Sequence, residues 1–159
     1  FVSGDFNNSS VSVFVLPFLK QLKKLGIELH LFYSSTYSDS YTSEYSKLAN
    51  QFHWIASLSD IECATLIDKS PVDVVVDLSG HTNGNRLPAL ARLRQKMTVS
   101  WLGTNFTTGL SSIDCFLTDA ITTPPEIAKA YPEKVLYISD SSFPYFHDFC
   151  GSGKKTDDV

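Results

Sequence analysis

Hydrophobic and polar positions fall in blocks along this chain, and the blocks switch period in a regular order. Val11, Phe14, Val15, Phe18, Leu19, Leu22 and Leu25 recur at helical spacing and mark one apolar face. Ser9 or Ser10 can cap that helix, Gly26 can stop it, and Pro17 removes one internal hydrogen bond and predicts a kink. Ahead of it, Phe1-Val2-Ser3 reads as the end of a strand already in progress, so the natural chain is expected to be longer there. Beyond it, Ile27 to Tyr33 predicts a strand, Ser34 to Thr42 a polar loop, Ser43 to Gln51 a helix and Phe52 to Ile55 a short strand. Ser59 followed three residues later by Glu62 is a capping box, opening a helix that ends near Asp68, ahead of Pro71. The β-branched run from Val72 to Leu78 predicts a strand buried on both faces. A helix around Leu87 to Leu93 tolerates Pro88 in its first turn. Thr98 to Trp101, Ile113 to Leu117 and Lys134 to Ile138 predict further strands, and Pro125 to Ala130 a short helix. Strands alternating with helices imply an α/β fold with a mostly parallel sheet and right-handed crossovers. Residues 1–148 read as one lobe, whereas 149–159 lack apolar anchors and are expected to be disordered.

Composition narrows the function classes. A length of 159 residues with 43% hydrophobic and 13% aromatic content suits one domain with a substantial core. A net charge of −4 without a long basic run disfavours nucleic acid as a partner. No apolar stretch reaches the roughly 18 residues a membrane helix needs. Cys63, Cys115 and Cys150 are odd in number and widely spaced, which argues against a zinc site or disulfide framework and for a reducing compartment. His30, His53 and His147 lack paired spacing, so no metal is expected. The three matches to a glycosylation acceptor pattern, at Asn7, Asn8 and Asn105, are read as chance.

Candidate chemistry concentrates in loops. Asp77-Leu78-Ser79-Gly80-His81-Thr82-Asn83-Gly84-Asn85-Arg86-Leu87 packs polar groups and two glycines behind the valine-rich strand. In open α/β sheets ligands bind where such loops leave the carboxyl ends of strands. The turns Ser3–Ser10, Ser79–Arg86 and Leu102–Gly109 all follow strands, and a parallel arrangement brings them to one edge as a composite cleft. Asp5, the sole carboxylate of the first turn, is a general base, an N-cap or a turn-stabilising acceptor. His81 orients a substrate hydroxyl or satisfies local backbone. Arg86 binds a carboxylate or phosphate, or caps a solvated helix face. Neither a P-loop, a G-x-G-x-x-G fingerprint nor a G-x-S-x-G elbow is present. From the residues alone, the reading stops at an α/β domain with a polar cleft.

Five segments occur in a telling order: Ser3-Gly4-Asp5-Phe6-Asn7-Asn8, Asp77–Leu87, Trp101–Leu110, Ile113–Asp119 and Pro124-Pro125-Glu126. Together they resemble the catalytic region of the O-linked N-acetylglucosamine transferase and SPINDLY family, over nearly the whole chain from Phe1 to about Phe146. The Gly-His-Thr loop looks closer to the SPINDLY and bacterial branch. The resemblance implies the amino-terminal Rossmann-like three-layer lobe, one half of a GT-B glycosyltransferase, with no organic cofactor and no catalytic metal. It implies as partners a nucleotide sugar (UDP-N-acetylglucosamine or GDP-fucose), a protein Ser or Thr acceptor and a second catalytic lobe, in the cytoplasm or nucleus. Asp5 and Asn8 stand where that family has a cleft Asp and Asn, the former proposed to assist proton transfer. Ser9 stands where it has an active-site histidine. His81, Thr82 and Arg86 match loop positions near the acceptor, and Leu102 and Gly103 the sugar-facing turn. Thr104-Asn105 replaces the usual Tyr-Pro. Two alternatives stand beside a partial transferase: a degenerate, non-catalytic lobe that binds protein or sugar nucleotide, and an unrelated nucleotide-binding or response-regulator-like module.

Overall fold

The computed structural model describes residues 1–138 and 141–144; the expectation of a disordered 149–159 tail lies outside the described residues. Among the described residues seven strands form one sheet: β1 (Val2–Ser3), β2 (His30–Tyr33), β3 (Gln51–Trp54), β4 (Val74–Asp77), β5 (Met97–Ser100), β6 (Cys115–Thr118) and β7 (Lys134–Tyr137). Their order is β3-β2-β1-β4-β5-β6-β7, and every pairing is parallel. The connections reverse direction between β1 and β4. In doubly wound sheets that reversal opens a crevice at the carboxyl ends of the strands, because the two flanking loops depart to opposite sides.

The helices among the described residues are α1 (Ser10–Lys24), α2 (Ser40–Leu48), α3 (Asp60–Lys69), α4 (Leu87–Leu90) and α5 (Pro125–Ala128). Parallel neighbours joined by right-handed crossovers send α1 and α2 to one face and the later helices to the other. The core divides accordingly. Val15, Leu16 and Leu19 of α1 and Tyr45 of α2 pack with Leu31 and Tyr33 of β2. On the opposite face Cys63, Ala64 and Ile67 of α3 and Ala89 and Leu90 of α4 pack with Phe32 and Val75. Adjacent residues of one strand thus serve two cores, as the period-two pleat requires.

α1 continues across the buried Pro17, and Ser9 is its N-cap, accepting from the Ser12 N–H at 3.3 Å. α3 carries the reciprocal Ser59–Glu62 capping box. α2 departs from the sequence pattern, beginning three residues before Ser43. Asp39 and Thr42 form their own reciprocal capping box there, a pairing without the usual Glu or Gln at the third position. α4 is a single turn, continued by i→i+3 bonds from Arg92 to Ala89 and from Leu93 to Leu90. No helix connects β5 to β6.

One consequence of the winding is an incompletely clad sheet. α1 and α2 cover the first face over β1–β3, but none of the described helices lies over β5–β7 on that side. Val99, Leu117, Leu136 and Ile138 line an apolar groove of about 370 Å³, bounded by Phe18 and Trp101 and by Ser141 and Pro144 of the segment after β7. No helix of the described residues is long and apolar enough to cross a membrane.

Candidate active site

The carboxyl ends of the central strands are built from small polar residues. Ser3, Asp77, Ser79, Ser100 and Thr118 are all buried. Groups this deep are tolerated when bonded, and most of these bonds hold the loops beyond them. The Ser3 hydroxyl accepts the Asp5 N–H at 2.9 Å, and the Ser79 hydroxyl accepts the Gly4 N–H at 3.1 Å. Ser34 donates to the Gly84 carbonyl at 2.6 Å, so the turn after β2 joins the same stitch.

Asp77 is the hub of the β4 loop. Only 1% exposed, its carboxylate accepts the Ser79 N–H at 3.1 Å, the Gly80 N–H at 2.9 Å and the Ser100 hydroxyl at 3.3 Å. Burial pushes the Asp77 carboxyl up to about 6 despite those donors. Sequence reasoning passed over it as a site residue, although an Asp two residues before a Ser-Gly is an Asx-turn signal. The Thr82 N–H and hydroxyl both donate to the Ser79 carbonyl, at 3.0 and 2.7 Å, which fixes the next turn.

The β5 loop interlocks with it. An alanine methyl at Gly103 would lie 2.2 Å from the Ser79 carbonyl carbon, and one at Gly80 would lie 2.5 Å from the Thr104 hydroxyl. Only the absence of side chains lets the two backbones meet. Leu102 has a φ of 65°, and the Gly103 N–H donates to the Trp101 carbonyl at 2.8 Å. Such an i→i+2 bond around a positive φ is the rarer, strained sense of γ-turn, and here it carries a leucine. The Leu102 side chain reaches the start of α1, beside Ser10, Val11 and Phe14.

The turns expected to form one cleft are therefore in mutual contact: the first touches the second at Ser79, and the second touches the third at Gly103. His81 is exposed, with Nε2 3.1 Å from the Thr108 carbonyl. Asn8 is exposed, and its N–H donates to Asp39 at 2.8 Å. Ser9 donates to the Asp5 carbonyl at 2.9 Å while capping α1, so its hydroxyl is engaged in both directions.

Asp5 differs from all of these. Its main chain is bonded to Ser3, Ser9 and Ser12. Its half-buried carboxylate accepts no hydrogen bond among the described residues, and Ser9 takes the N-cap position. Neither bland reading of Asp5 is thus occupied. Desolvation without compensating donors raises its pKa above the ordinary carboxylate value.

Arg86 is placed otherwise than expected. Its guanidinium donates to the carbonyls of Ile55 at 2.6 Å, Ala56 at 3.0 Å and Leu58 at 3.0 Å, and contacts Asp60 at 3.4 Å. Both terminal nitrogens are committed to the β3–α3 connection, so the guanidinium clamps two loops together, while the Arg86 backbone is the N-cap of α4 with no side-chain cap bond. Long-range carbonyl targets of this kind leave no local sequence signal. Among the described residues, no three His, Cys, Asp or Glu side chains cluster to hold a metal.

Comparison with known proteins gives this arrangement its context. A SPINDLY protein of Solanum lycopersicum, described as a probable UDP-N-acetylglucosamine–peptide N-acetylglucosaminyltransferase, is 28% identical over 149 residues, covering 91% of this chain. A UDP-N-acetylglucosamine–peptide N-acetylglucosaminyltransferase of Caenorhabditis elegans is 29% identical over 147 residues, covering 90%. The chain spans only 16% and 13% of those two proteins. The solved structure of a mutant O-GlcNAc transferase from Thermobaculum terrenum superposes with a TM-score of 0.84 at 28% identity, over 90% of this chain and 28% of that one. The family model for glycosyl transferase family 41 matches residues 1–149. With a sheet, an ordered set of loops and a family pattern that coincide over nearly its full length, this chain belongs to glycosyl transferase family 41.

Proposed function

We propose that residues 1–148 form the amino-terminal catalytic lobe of a two-lobed, GT-B protein O-glycosyltransferase. The lobe contributes to transfer of a sugar, N-acetylglucosamine, from a nucleotide sugar to Ser or Thr of proteins once a second lobe completes the cleft. The names of the relatives support UDP-N-acetylglucosamine as donor, with GDP-fucose the alternative. The free, buried thiols of Cys63 and Cys115 support the cytoplasm or nucleus as its place.

The observation that carries the reading is the unbonded, half-buried carboxylate of Asp5 beside the interlocked loops. In the transfer, the acceptor hydroxyl oxygen bonds to the anomeric carbon while the bond from that carbon to the diphosphate breaks. The hydroxyl proton passes to Asp5, whose raised affinity for protons suits a general base. The Leu102-Gly103 turn faces the sugar, Asn8 lines the cleft, and His81 positions the acceptor with Thr82 shaping its loop. Arg86 holds that loop in place. In a two-lobe form, Asp5→Asn is expected to lower kcat by about 100-fold or more. Turnover equal to that of the parent would remove Asp5 from the mechanism. The same substitution in this chain alone leaves the thermal midpoint equal or higher, because it deletes a desolvated charge whose carboxylate has no partner among the described residues.

One observation favours a second reading, a lobe that binds sugar nucleotide or protein without catalysis. Ser9 cannot titrate near neutrality, and its hydroxyl is spent on the α1 cap. Activity that appears only on Ser9→His in the two-lobe form would decide for this reading.

A further inference from the structure

We propose that Glu133 is a positioning residue for His81: acting through Thr108, it holds the imidazole proton on Nε2 and leaves Nδ1 as the hydrogen-bond acceptor offered to the cleft. This deepens the reading of His81 as an acceptor-positioning group and rests on that reading only for the identity of the hydroxyl that Nδ1 would receive. A carbonyl oxygen can only accept, so the 3.1 Å contact between His81 Nε2 and the Thr108 carbonyl requires the proton on Nε2. In the neutral ring the lone pair then sits on Nδ1, which has no partner among the described residues.

What fixes that carbonyl is unusual. Thr108 is 3% exposed and lies in the long β5–β6 connection, which has no helix to order it. Glu133, 4% exposed at the foot of β7, grips it from 25 residues away. Glu133 Oε1 accepts the Thr108 N–H at 2.6 Å and also the Thr108 hydroxyl, while Oε2 accepts the Thr107 hydroxyl at 2.5 Å. The Thr107 and Thr108 hydroxyls accept in turn from the Gly109 and Leu110 N–H groups at 2.9 and 3.2 Å. Among the described residues Glu133 makes no ion pair. A carboxylate placed this deep without a cation is costly, and only its convergent donors offset the burial. Burial alone would raise its pKa, but the Thr107 and Thr108 donors prevail and lower it, so the clamp is anionic at neutral pH. The result is a fixed orientation of the Thr108 carbonyl, and among the described residues the side chain that contacts it is that of His81.

The test is nitrogen-15 NMR of the imidazoles in this chain at a pH of about 8.5, above the ordinary histidine range, with His81 assigned by loss of its signals in His81→Gln. The parent is expected to show widely separated ring-nitrogen shifts with the proton on Nε2. In Glu133→Gln that separation should shrink by about a third or more as the second tautomer gains population. Thr108→Ala removes the hydroxyl clamp but keeps the backbone bond, and should move the signals the same way by less; it also serves if Glu133→Gln does not fold. A proton on Nδ1 in the parent, or an unmoved separation in either folded variant, overturns the proposal. The experiment needs no sugar donor, so its failure and the failure of the Asp5 mechanism are read independently.

Discussion

An alanine at position 103 would drive a methyl group to 2.2 Å from the Ser79 carbonyl carbon, against backbone that cannot rotate aside. Overpacking of this kind costs about 1–3 kcal/mol or more. Gly26→Ala is the control: its methyl meets nothing within 4 Å, and the positive φ of 80° alone costs about 1 kcal/mol. Urea unfolding should therefore rank Gly103→Ala well below Gly26→Ala, and equal midpoints would contradict the interlock. Asp77 supplies a second test. Its folded pKa of about 6 lies above the unfolded value, so between about pH 4 and 6 the native state holds more protons than the unfolded state. Stability from this group is full below pH 4 and declines as pH rises to 6. The stability of the parent relative to Asp77→Asn should therefore fall between pH 4 and pH 7 when both are unfolded in urea. At this scale the sequence was partly legible. The polar, glycine-rich loops announced themselves, but the jobs within them did not. Asp77 and Glu133 gain their meaning from donors that folding delivers, and Arg86 from three carbonyls some 28 to 31 residues away.

Helices and strands followed the hydrophobic pattern closely because most of them satisfy local rules. Ser9 and Ser59 cap where an N-cap residue precedes an apolar period, whereas the strand expected to be buried over Val72–Leu78 is shorter, Val74–Asp77, and leaves Val74 exposed. The shift of α2 to Ser40 shows where pattern reading loses resolution: the Asp39–Thr42 box is read from geometry, and Tyr41 and Tyr45 supply too few apolar positions to set a phase. Ser59→Ala should cost about 1 kcal/mol of stability, since it leaves the Glu62 N–H without its side-chain acceptor. Calorimetry that finds no change in midpoint would show that water replaces the cap.

Across the whole molecule, the strand order explains both the cleft and the groove. Reversal between β1 and β4 gathers the polar loops after β1, β4 and β5 at one edge, and it also sends α1 and α2 away from β5–β7. Parallel topology was foreseeable from alternation, but the order of the strands was not, since pairing partners lie tens of residues apart. Leu136→Gln, in the groove, should cost less than about 1 kcal/mol, whereas Ile67→Ala in the α3 core should cost about 2–5 kcal/mol. Chemical denaturation of the two variants compares them directly. This uneven cladding has a kinetic meaning as well. β2 packs against helices on both faces, while among the described residues β6 and β7 have α5, which buries no residue, as their nearest helix in the chain. Amide protons of β7 should thus exchange through small, frequent openings and those of β2 only through global unfolding. The protein would come apart from one margin inward, with the Glu133 end loosening before the Asp5 end.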